Sequence, residues 1–352
     1  MVGLFQPEKG IAHEQASGHR LLLVHPDHHL GSSTNFMISS WRRKLWGLSV
    51  LARHGKPSTI LSFREGLGGL GDQLLLTTLA REFRQRGKPR VWVSTYAPEF
   101  FAGNPDIQRV VSPDSDDDER WFITRFGGRT ISPTYASHIP EERRDTPPTK
   151  HLLAIMCEQA GISGSVDLRP YLYLTDSEMQ KGHLLENQIA IQSTGQSSKY
   201  FMWTKEWYPE RFQEVVDALK NRFNFVQVGG KDDPKLEGTY DLRGHLSIRG
   251  TAAILANSVL FVGLVGFLMH LARAVDCRAA IVYGGRELPS QSGYPCNENL
   301  TGQTSCSPCW RYDDCPGQRA CMEQITSKHV IEAVQRCASK HNQPLEIEQP
   351  TL

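Results

Sequence analysis

The chain has 352 residues, of which 39% are apolar and 22% charged, a composition typical of globular proteins and a length that suits two domains. Lysine and arginine (39) nearly balance aspartate and glutamate (38), so the chain has no global basic field that would hold nucleic acid. No apolar run is long enough to cross a bilayer, and the N-terminus lacks the apolar core of a signal peptide, which predicts a cytoplasmic protein.

Residues 1–57 form a predicted N-terminal extension. Arg20–His25 (RLLLVH) has the composition of a short strand, and Asn35–Arg53 shows helical apolar spacing with several basic residues interspersed. Two interpretations of this helix remain open. It packs on the first lobe, or it is a basic amphipathic helix that touches an acceptor or a membrane. Membrane contact would place the protein at the inner face of the inner membrane.

Regular alternation of strands and helices begins at Thr59 and predicts a Rossmann-like lobe over residues 58–175. The predicted strands are 59–64, 90–95 and 107–111, and the predicted helices are 72–86, 98–103 and 150–161. The acidic run at Ser112–Arg120 contains an Asp-x-Asp pattern, but clustered acids beside Pro and Ser indicate a solvated surface loop. This rhythm predicts a parallel sheet with helices on its faces.

The second half repeats the rhythm and predicts another Rossmann-like lobe over residues 176–340, followed by a tail at 341–352. The predicted strands are 189–193, 223–228, 259–262 and 279–283, and the predicted helices are 176–186, 209–222, 248–256, 267–275 and 328–340. The predicted fold class is therefore α/β, with two parallel-sheet lobes. Open units of this kind bind ligands at the carboxyl ends of their strands, facing a cleft.

A glycine-rich turn, Gly66–Gly71, satisfies the pattern G-x-G-x-x-G between a predicted strand and a predicted helix. A dinucleotide site also needs an acid at the end of the next strand, where this chain has Ser94, Thr95 and Tyr96. A dinucleotide-dependent oxidoreductase is therefore disfavoured and is kept as a third hypothesis.

Asp72 directly follows the last glycine of this turn. One interpretation is structural, because an aspartate at a helix N-cap contributes roughly 1 kcal/mol. The other is catalytic. A carboxylate on a tight turn at the mouth of a cleft can take the proton of an attacking hydroxyl, and Gly69 and Gly71 leave room for a sugar.

Several motifs occur in an order that resembles one known family. They are Gly69–Thr77 (GLGDQLLLT), Gly103–Ile107 (GNPDI), Thr204–Phe212 (TKEWYPERF), Val228–Gly230 (VGG), Asp241–Gly244 (DLRG), Phe261–Gly263 (FVG) and Met269–Ala272 (MHLA). This set resembles the bacterial ADP-heptose heptosyltransferases, glycosyltransferase family 9, over about residues 58–340.

The resemblance implies a GT-B fold and an inverting transfer of a heptose-like sugar from a nucleotide diphosphate, without a catalytic metal. It implies Asp72 as the general base, Lys205 as the cation that neutralises the diphosphate, and His270 beside it. The acceptor would be a hydroxyl of lipopolysaccharide, another glycan or a protein. Oligomerisation is left open. The predicted substrate-binding residues are Gly69, Gly71, Ser193, Lys205, Gly229, Gly230, Gly263, Met269 and His270. From sequence alone, Lys205 also suits a surface position before a helix, and His270 a core position.

One departure from the family pattern concerns the donor. The family places Asn-Asp-Ser-Gly-Pro after the Val-Gly of this region, whereas this chain has Leu264–Leu268 (LVGFL), so Val265 replaces the aspartate. The donor is then held differently or is not ADP-heptose, or the protein is a degenerate sugar-nucleotide binder or assembly partner. A related group, the heptosyltransferases that modify bacterial autotransporter proteins, also has an apolar residue around this turn, followed by a four-cysteine iron-binding finger. This chain resembles that group in both traits.

Five of the eight cysteines lie within residues 296–321. Cys306, Cys309, Cys315 and Cys321 have a spacing that suits one tetrahedral structural zinc or iron, and Cys296 would be a spare or alternate ligand. The open alternatives are reduced, unliganded thiols and partial disulfides formed on purification. Four protein ligands would leave no open coordination position, so such a metal would not be catalytic.

Overall fold

The computed structural model describes residues 32–63, 68–88, 90–113 and 117–352. Gly47–Leu352 form one compact unit, distinct from Met1–Trp46. The predicted helix of the N-terminal extension is present as α1 (Ser32–His54), whereas the predicted strand at Arg20–His25 lies outside the described residues. None of the described helices combines the length and the apolar character needed to span a bilayer.

The first lobe carries a four-stranded parallel sheet in the order β3-β2-β1-β4 and a separate antiparallel hairpin, β5-β6. Its elements are β1 (Thr59–Ser62), α2 (Leu70–Gln85), β2 (Val91–Ser94), a 3₁₀ turn (Pro98–Phe100), β3 (Arg109–Val111), α3 (Asp117–Phe126), β4 (Arg129–Ile131), β5 (His138–Ile139), a second 3₁₀ turn (Pro140–Glu142), β6 (Arg144–Asp145) and α4 (Leu152–Gln159).

The second lobe carries a six-stranded parallel sheet in the order β12-β11-β10-β7-β8-β9. Its elements are α5 (Asp176–Gly182), β7 (Gln188–Ile191), a 3₁₀ turn (Trp203–Lys205), α6 (Pro209–Leu219), β8 (Asn224–Gln227), β9 (Tyr240–Asp241), α7 (Ile248–Ala256), β10 (Leu260–Leu264), α8 (Phe267–Ala274), β11 (Ala279–Gly284), α9 (Pro289–Ser292), β12 (Glu298–Thr301), α10 (Ala320–Glu323) and α11 (Ser327–Ser339).

The central strands of the second sheet are buried on both faces, as expected of parallel strands covered by helices. Every residue of β10 and β11 is buried. The neighbouring helix α6 begins at Pro209, whose missing N–H is harmless in the first helical turn. Its Phe212 packs edge-on against Trp207 with ring centroids 4.7 Å apart. This packing fixes the segment that carries Lys205.

Two features differ from the predictions. The loop predicted at Ser112–Arg120 is wrong in its second half, because α3 begins at Asp117. Further along α3, Phe122 is buried and stacks on Trp92 at 5.5 Å between ring centroids, and this apolar anchor outweighs the acidic start of the helix. The predictions also omitted β4, β9, β12 and the β5-β6 hairpin, which are only two to four residues long.

Arg249, in the first turn of α7, joins the two lobes. Its guanidinium makes a two-point ion pair with Glu178 of α5, with N–O distances of 2.5 and 2.6 Å. It also donates to the carbonyl of Glu99 in the first lobe at 3.0 Å and to that of Tyr173 in the connector at 2.8 Å. The Arg249 hydrogen bonds lower the pKa of Glu178 to about 2.

We expect Arg249→Ala to lower Tm at neutral pH by several degrees, because charge-assisted hydrogen bonds each contribute about 1.5–3 kcal/mol. The folded-state pKa of Glu178 is depressed from 4.5 to about 2. Its contribution to stability is therefore complete above 4.5 and is lost as the pH falls toward 2. The Tm difference between wild type and variant should narrow over that interval. Lys181→Ala, at an exposed position of α5, is the control. Equal melting of wild type and Arg249→Ala would contradict this role.

Candidate active site

Asp72 lies in the first turn of α2, at the carboxyl end of β1. The helix begins at Leu70 with Gly69 as its N-cap, so Asp72 is the third helical residue and not the N-cap considered from sequence. The backbone N–H of Gly69 donates to Asp72 Oδ2 at 2.7 Å. Gly68 precedes it with φ of 88°, a left-handed conformation that glycine adopts without strain. The turn therefore holds one oxygen of the carboxylate in place.

The other carboxylate oxygen is held by Tyr135, from the segment between β4 and β5. The Tyr135 hydroxyl donates to Asp72 Oδ1 at 2.8 Å. Burial raises the pKa of Asp72 above its ordinary value, and the hydrogen bonds from Tyr135 and Gly69 and the charge of Lys205 oppose that rise. A carboxylate has about four acceptor positions, so these two bonds leave it able to accept another proton donor.

Lys205 ends the 3₁₀ turn before α6 and meets two charged residues of the turn after β11. Its Nζ lies 2.6 Å from Glu287 Oε1, and Arg286 Nη1 lies 3.3 Å from the same oxygen. Burial alone would raise the pKa of Glu287, but Lys205 and Arg286 bring it down to about 2. Asp72 and Lys205 influence each other's pKa. Contacts also connect them, because the Arg286 guanidinium lies 4.8 Å from the Trp310 ring and that ring packs against Tyr135, which binds Asp72.

His270 lies on α8, against the glycine turn of the first lobe. A Cβ built on Gly71 would be 3.3 Å from His270 Cδ2 and 3.6 Å from Phe267 Cα, so glycine allows α8 to approach α2. The Nδ1 of His270 lies 2.6 Å from the hydroxyl of Tyr294. Burial lowers the pKa of His270 to about 3, so the ring is neutral at pH 7. It can exchange hydrogen bonds with a ligand but supplies no charge.

The remaining predicted substrate residues fall into two groups. Gly229 and Gly230 form a turn after β8, where the backbone N–H of Gly230 donates to Asp233 at 2.8 Å. Ser193 is buried after β7, and its hydroxyl donates to the carbonyl of Pro234 at 2.7 Å.

Gly263 and Met269 are core positions. A Cβ at Gly263 would be 2.3 Å from the Phe261 ring, and the Met269 sulfur accepts from Tyr283 at 3.2 Å. The structure thus gathers Gly69, Gly71, Asp72, Lys205 and His270 together, but not Gly263 or Met269.

The cysteine-rich segment, residues 296–321, crosses from the second lobe to the first. The backbone N–H of Asp145 donates to the carbonyl of Trp310 at 3.0 Å, and that of Tyr312 to Arg143 at 3.2 Å. The Trp310 ring faces Tyr135 at 6.4 Å between centroids. The segment therefore pairs with the β5-β6 hairpin and packs against the tyrosine that holds Asp72.

The four cysteines predicted as metal ligands make no disulfide bond. Within the described residues, no group of three or more His, Cys, Asp or Glu side chains is placed to hold a metal ion. Burial raises the pKa of the Cys309 thiol, and its neighbours Cys306 and Cys315 raise it further. Cys296 lies elsewhere, buried near Cys277, which corrects its interpretation as an alternate ligand.

Sequence reasoning missed Tyr135, Arg286 and Glu287. Tyr135 lies in a stretch without regular structure, so nothing local marks it. Glu287 offered a signal, because it follows the Gly284-Gly285 turn at the carboxyl end of a buried parallel strand, where ligand-facing side chains collect.

No protein-family model matches the chain, and no curated protein matches it in sequence. Several solved structures, however, are similar to it in fold. A glycosyl transferase family 9 protein from Veillonella parvula has a TM-score of 0.60 at 15% identity, covering 82% of this chain and 98% of that one. The iron-containing dodecameric glycosyltransferase TibC of enterotoxigenic Escherichia coli gives 0.62 at 18%, covering 81% and 77%. The E. coli ADP-heptose lipopolysaccharide heptosyltransferase II gives 0.58 at 12%, covering 80% and 99%.

These similarities confirm the predicted GT-B fold, with its two parallel-sheet lobes. The solved structures include members of the family that the sequence motifs resemble. The sequence motifs and the structural similarities therefore point to the same family.

Metal analysis tests the sequence prediction for the cysteines. If the four thiolates gather around one structural zinc or iron, protein prepared without chelators should contain about one metal per chain. Cys309→Ser should lower that content, and Cys157→Ser, at a buried position outside the segment, should not. Absence of both metals from the wild type would contradict the prediction.

Proposed function

We propose that this protein is an inverting glycosyltransferase that moves a heptose-like sugar from a nucleotide diphosphate, ADP-heptose in the first instance, to a hydroxyl of a lipopolysaccharide, glycan or protein acceptor. The proposal assigns residues 58–175 to the acceptor lobe and 176–340 to the nucleotide-sugar lobe. The GT-B fold supports it, as does the arrangement of charges where the two lobes meet.

The observation that carries the proposal is the shared cluster of Asp72 and Lys205. One comes from the first lobe and the other from the second. Lys205 pairs with Glu287 at 2.6 Å beside Arg286. The Arg286 guanidinium lies 4.8 Å from the Trp310 ring, which packs against the tyrosine that binds Asp72. A base and a cation at one site are the two groups that displacement of a diphosphate requires. Positive charge develops on the sugar, and negative charge on the departing phosphate oxygen.

In the proposed step, the acceptor oxygen forms a bond to the anomeric carbon while the bond from that carbon to the phosphate oxygen breaks. The electron pair of the broken bond leaves with the nucleoside diphosphate, and the proton of the acceptor hydroxyl passes to Asp72. The raised pKa of Asp72 suits this role, because it makes the carboxylate a stronger base than an exposed aspartate. Lys205 balances the charge of the leaving group, with neutral His270 as a hydrogen-bonding neighbour.

A nucleotide screen tests the donor. We expect ADP and ADP-heptose to raise Tm, because a ligand at about 100 times its Kd stabilises the folded state by roughly 2.7 kcal/mol. GDP-sugars, UDP-sugars and NAD serve as the comparison set. Lys205→Ala should weaken the effect of ADP, whereas exposed Lys220→Ala should not. Stabilisation by NAD alone would favour the oxidoreductase hypothesis and contradict this one.

Asp72→Asn tests the base and separates an enzyme from a degenerate binder. We expect transfer to fall by about 10²- to 10⁴-fold, the usual contribution of a general base, with ADP binding nearly unchanged. Asp217→Asn, on the exposed face of α6, is the matched control and should retain full activity. Transfer is measured with ADP-heptose and candidate acceptors. Full turnover by Asp72→Asn would remove its role, and a wild type that binds ADP but transfers nothing would favour the binder.

A further inference from the structure

Glu287 is the most constrained carboxylate of the cluster, and the chemistry proposed above does not use it. Its side chain is 4% exposed. Oε1 faces Lys205 at 2.6 Å and Arg286 at 3.3 Å, and Oε2 accepts a hydrogen bond from the Ser292 hydroxyl at 2.7 Å. Ser292 belongs to α9, and the turn that carries Glu287 is bonded to the cysteine-rich segment, since Trp310 N–H donates to the Arg286 carbonyl at 3.0 Å. The carboxylate is therefore fixed from both sides.

Lys205 needs a partner of this kind. Burial lowers its pKa, and Arg286 lowers it further, because a second cation disfavours another positive charge. Among the groups that oppose this, Glu287 acts most strongly, through its charge and its hydrogen bond, and Asp72 acts less. His270, the other titratable neighbour, is neutral. An amine in such surroundings would tend to lose its proton without an adjacent anion.

The neighbouring turn offers no such anion. Val265 follows β10 and is buried. Its backbone N–H donates to the carbonyl of Val282 in β11 at 3.2 Å. Because β10 and β11 pair in parallel, the turns after them lie side by side. Of these two turns, the one after β11 carries the carboxylate that pairs with Lys205.

We propose that Glu287 is a positioning residue that keeps Lys205 protonated and directed at the diphosphate of the donor. Its assignment to the diphosphate rests on the proposed function. The protonation of Lys205 does not, and can be measured without any substrate.

The test is the titration of Lys205 itself, by trace acetylation with acetic anhydride across a pH series and mass spectrometry of the peptide that contains it. In Glu287→Gln, which keeps the shape of the side chain and removes the charge, we expect the midpoint of Lys205 labelling to fall by about one pH unit or more. Glu287→Asp, which keeps the charge, should stay closer to wild type. Labelling of Lys220, an exposed lysine of the same protein, is the internal control and should follow one curve in all three proteins.

Activity supplies a second measurement. Because protonated Lys205 is the active form, kcat falls as the pH rises through its pKa. In Glu287→Gln that fall should move to lower pH by the same interval as the labelling midpoint. A residue that only stabilises the fold would lower activity without moving the profile.

An unchanged labelling midpoint in folded Glu287→Gln would overturn the inference. If that variant does not fold, the labelling midpoint of Lys205 in the wild type tests the inference. Lys205 already half deprotonated at about pH 7 would show that Glu287 fails to keep the proton. A shifted midpoint in a protein that transfers no sugar would reject the proposed function alone, and transfer with an unshifted midpoint would reject this inference alone.

Discussion

The structure of the site depends on the mutual neutralisation of charges that are largely out of contact with water. Asp72 and Glu287 provide two carboxylates, and Lys205 and Arg286 provide two cations. Removing one member of such a set leaves another charge buried and unpaired, which is more costly than the loss of a surface ion pair. Asp72 comes from the first lobe and the other three from the second, so these charges lie where the two lobes meet.

The cysteine-rich segment reinforces that meeting. Its backbone pairs with the β5-β6 hairpin, and its Trp310 packs against the ring of Tyr135, whose hydroxyl holds Asp72. Arg286 takes part on the same side, with its guanidinium 4.8 Å from the Trp310 ring centroid and 3.7 Å from the Asp145 carboxylate. A segment that the sequence marks for possible metal binding thus also connects the two lobes next to Asp72.

The sequence predicted most of the architecture, because buried parallel strands such as β10 and β11 are apolar throughout and amphipathic helices such as α6 carry their own periodicity. It marked Asp72, Lys205 and His270 as candidate site residues because ordered motifs surround them. It could not predict Tyr135, whose role depends on a contact 63 residues away in the chain. Gly263 and Met269 show the opposite error. The motifs predicted that they face a ligand, but they pack in the core. Short strands such as β9 form only because the rest of the sheet offers them a partner.

Gly71 allows α2 and α8 to lie close together beside Asp72. Helix α8 comes within van der Waals distance of the space that a side chain at this position would fill. The separation of α2 and α8 therefore depends on the absence of a side chain at this position, and even alanine would push His270 away from the turn that holds Asp72.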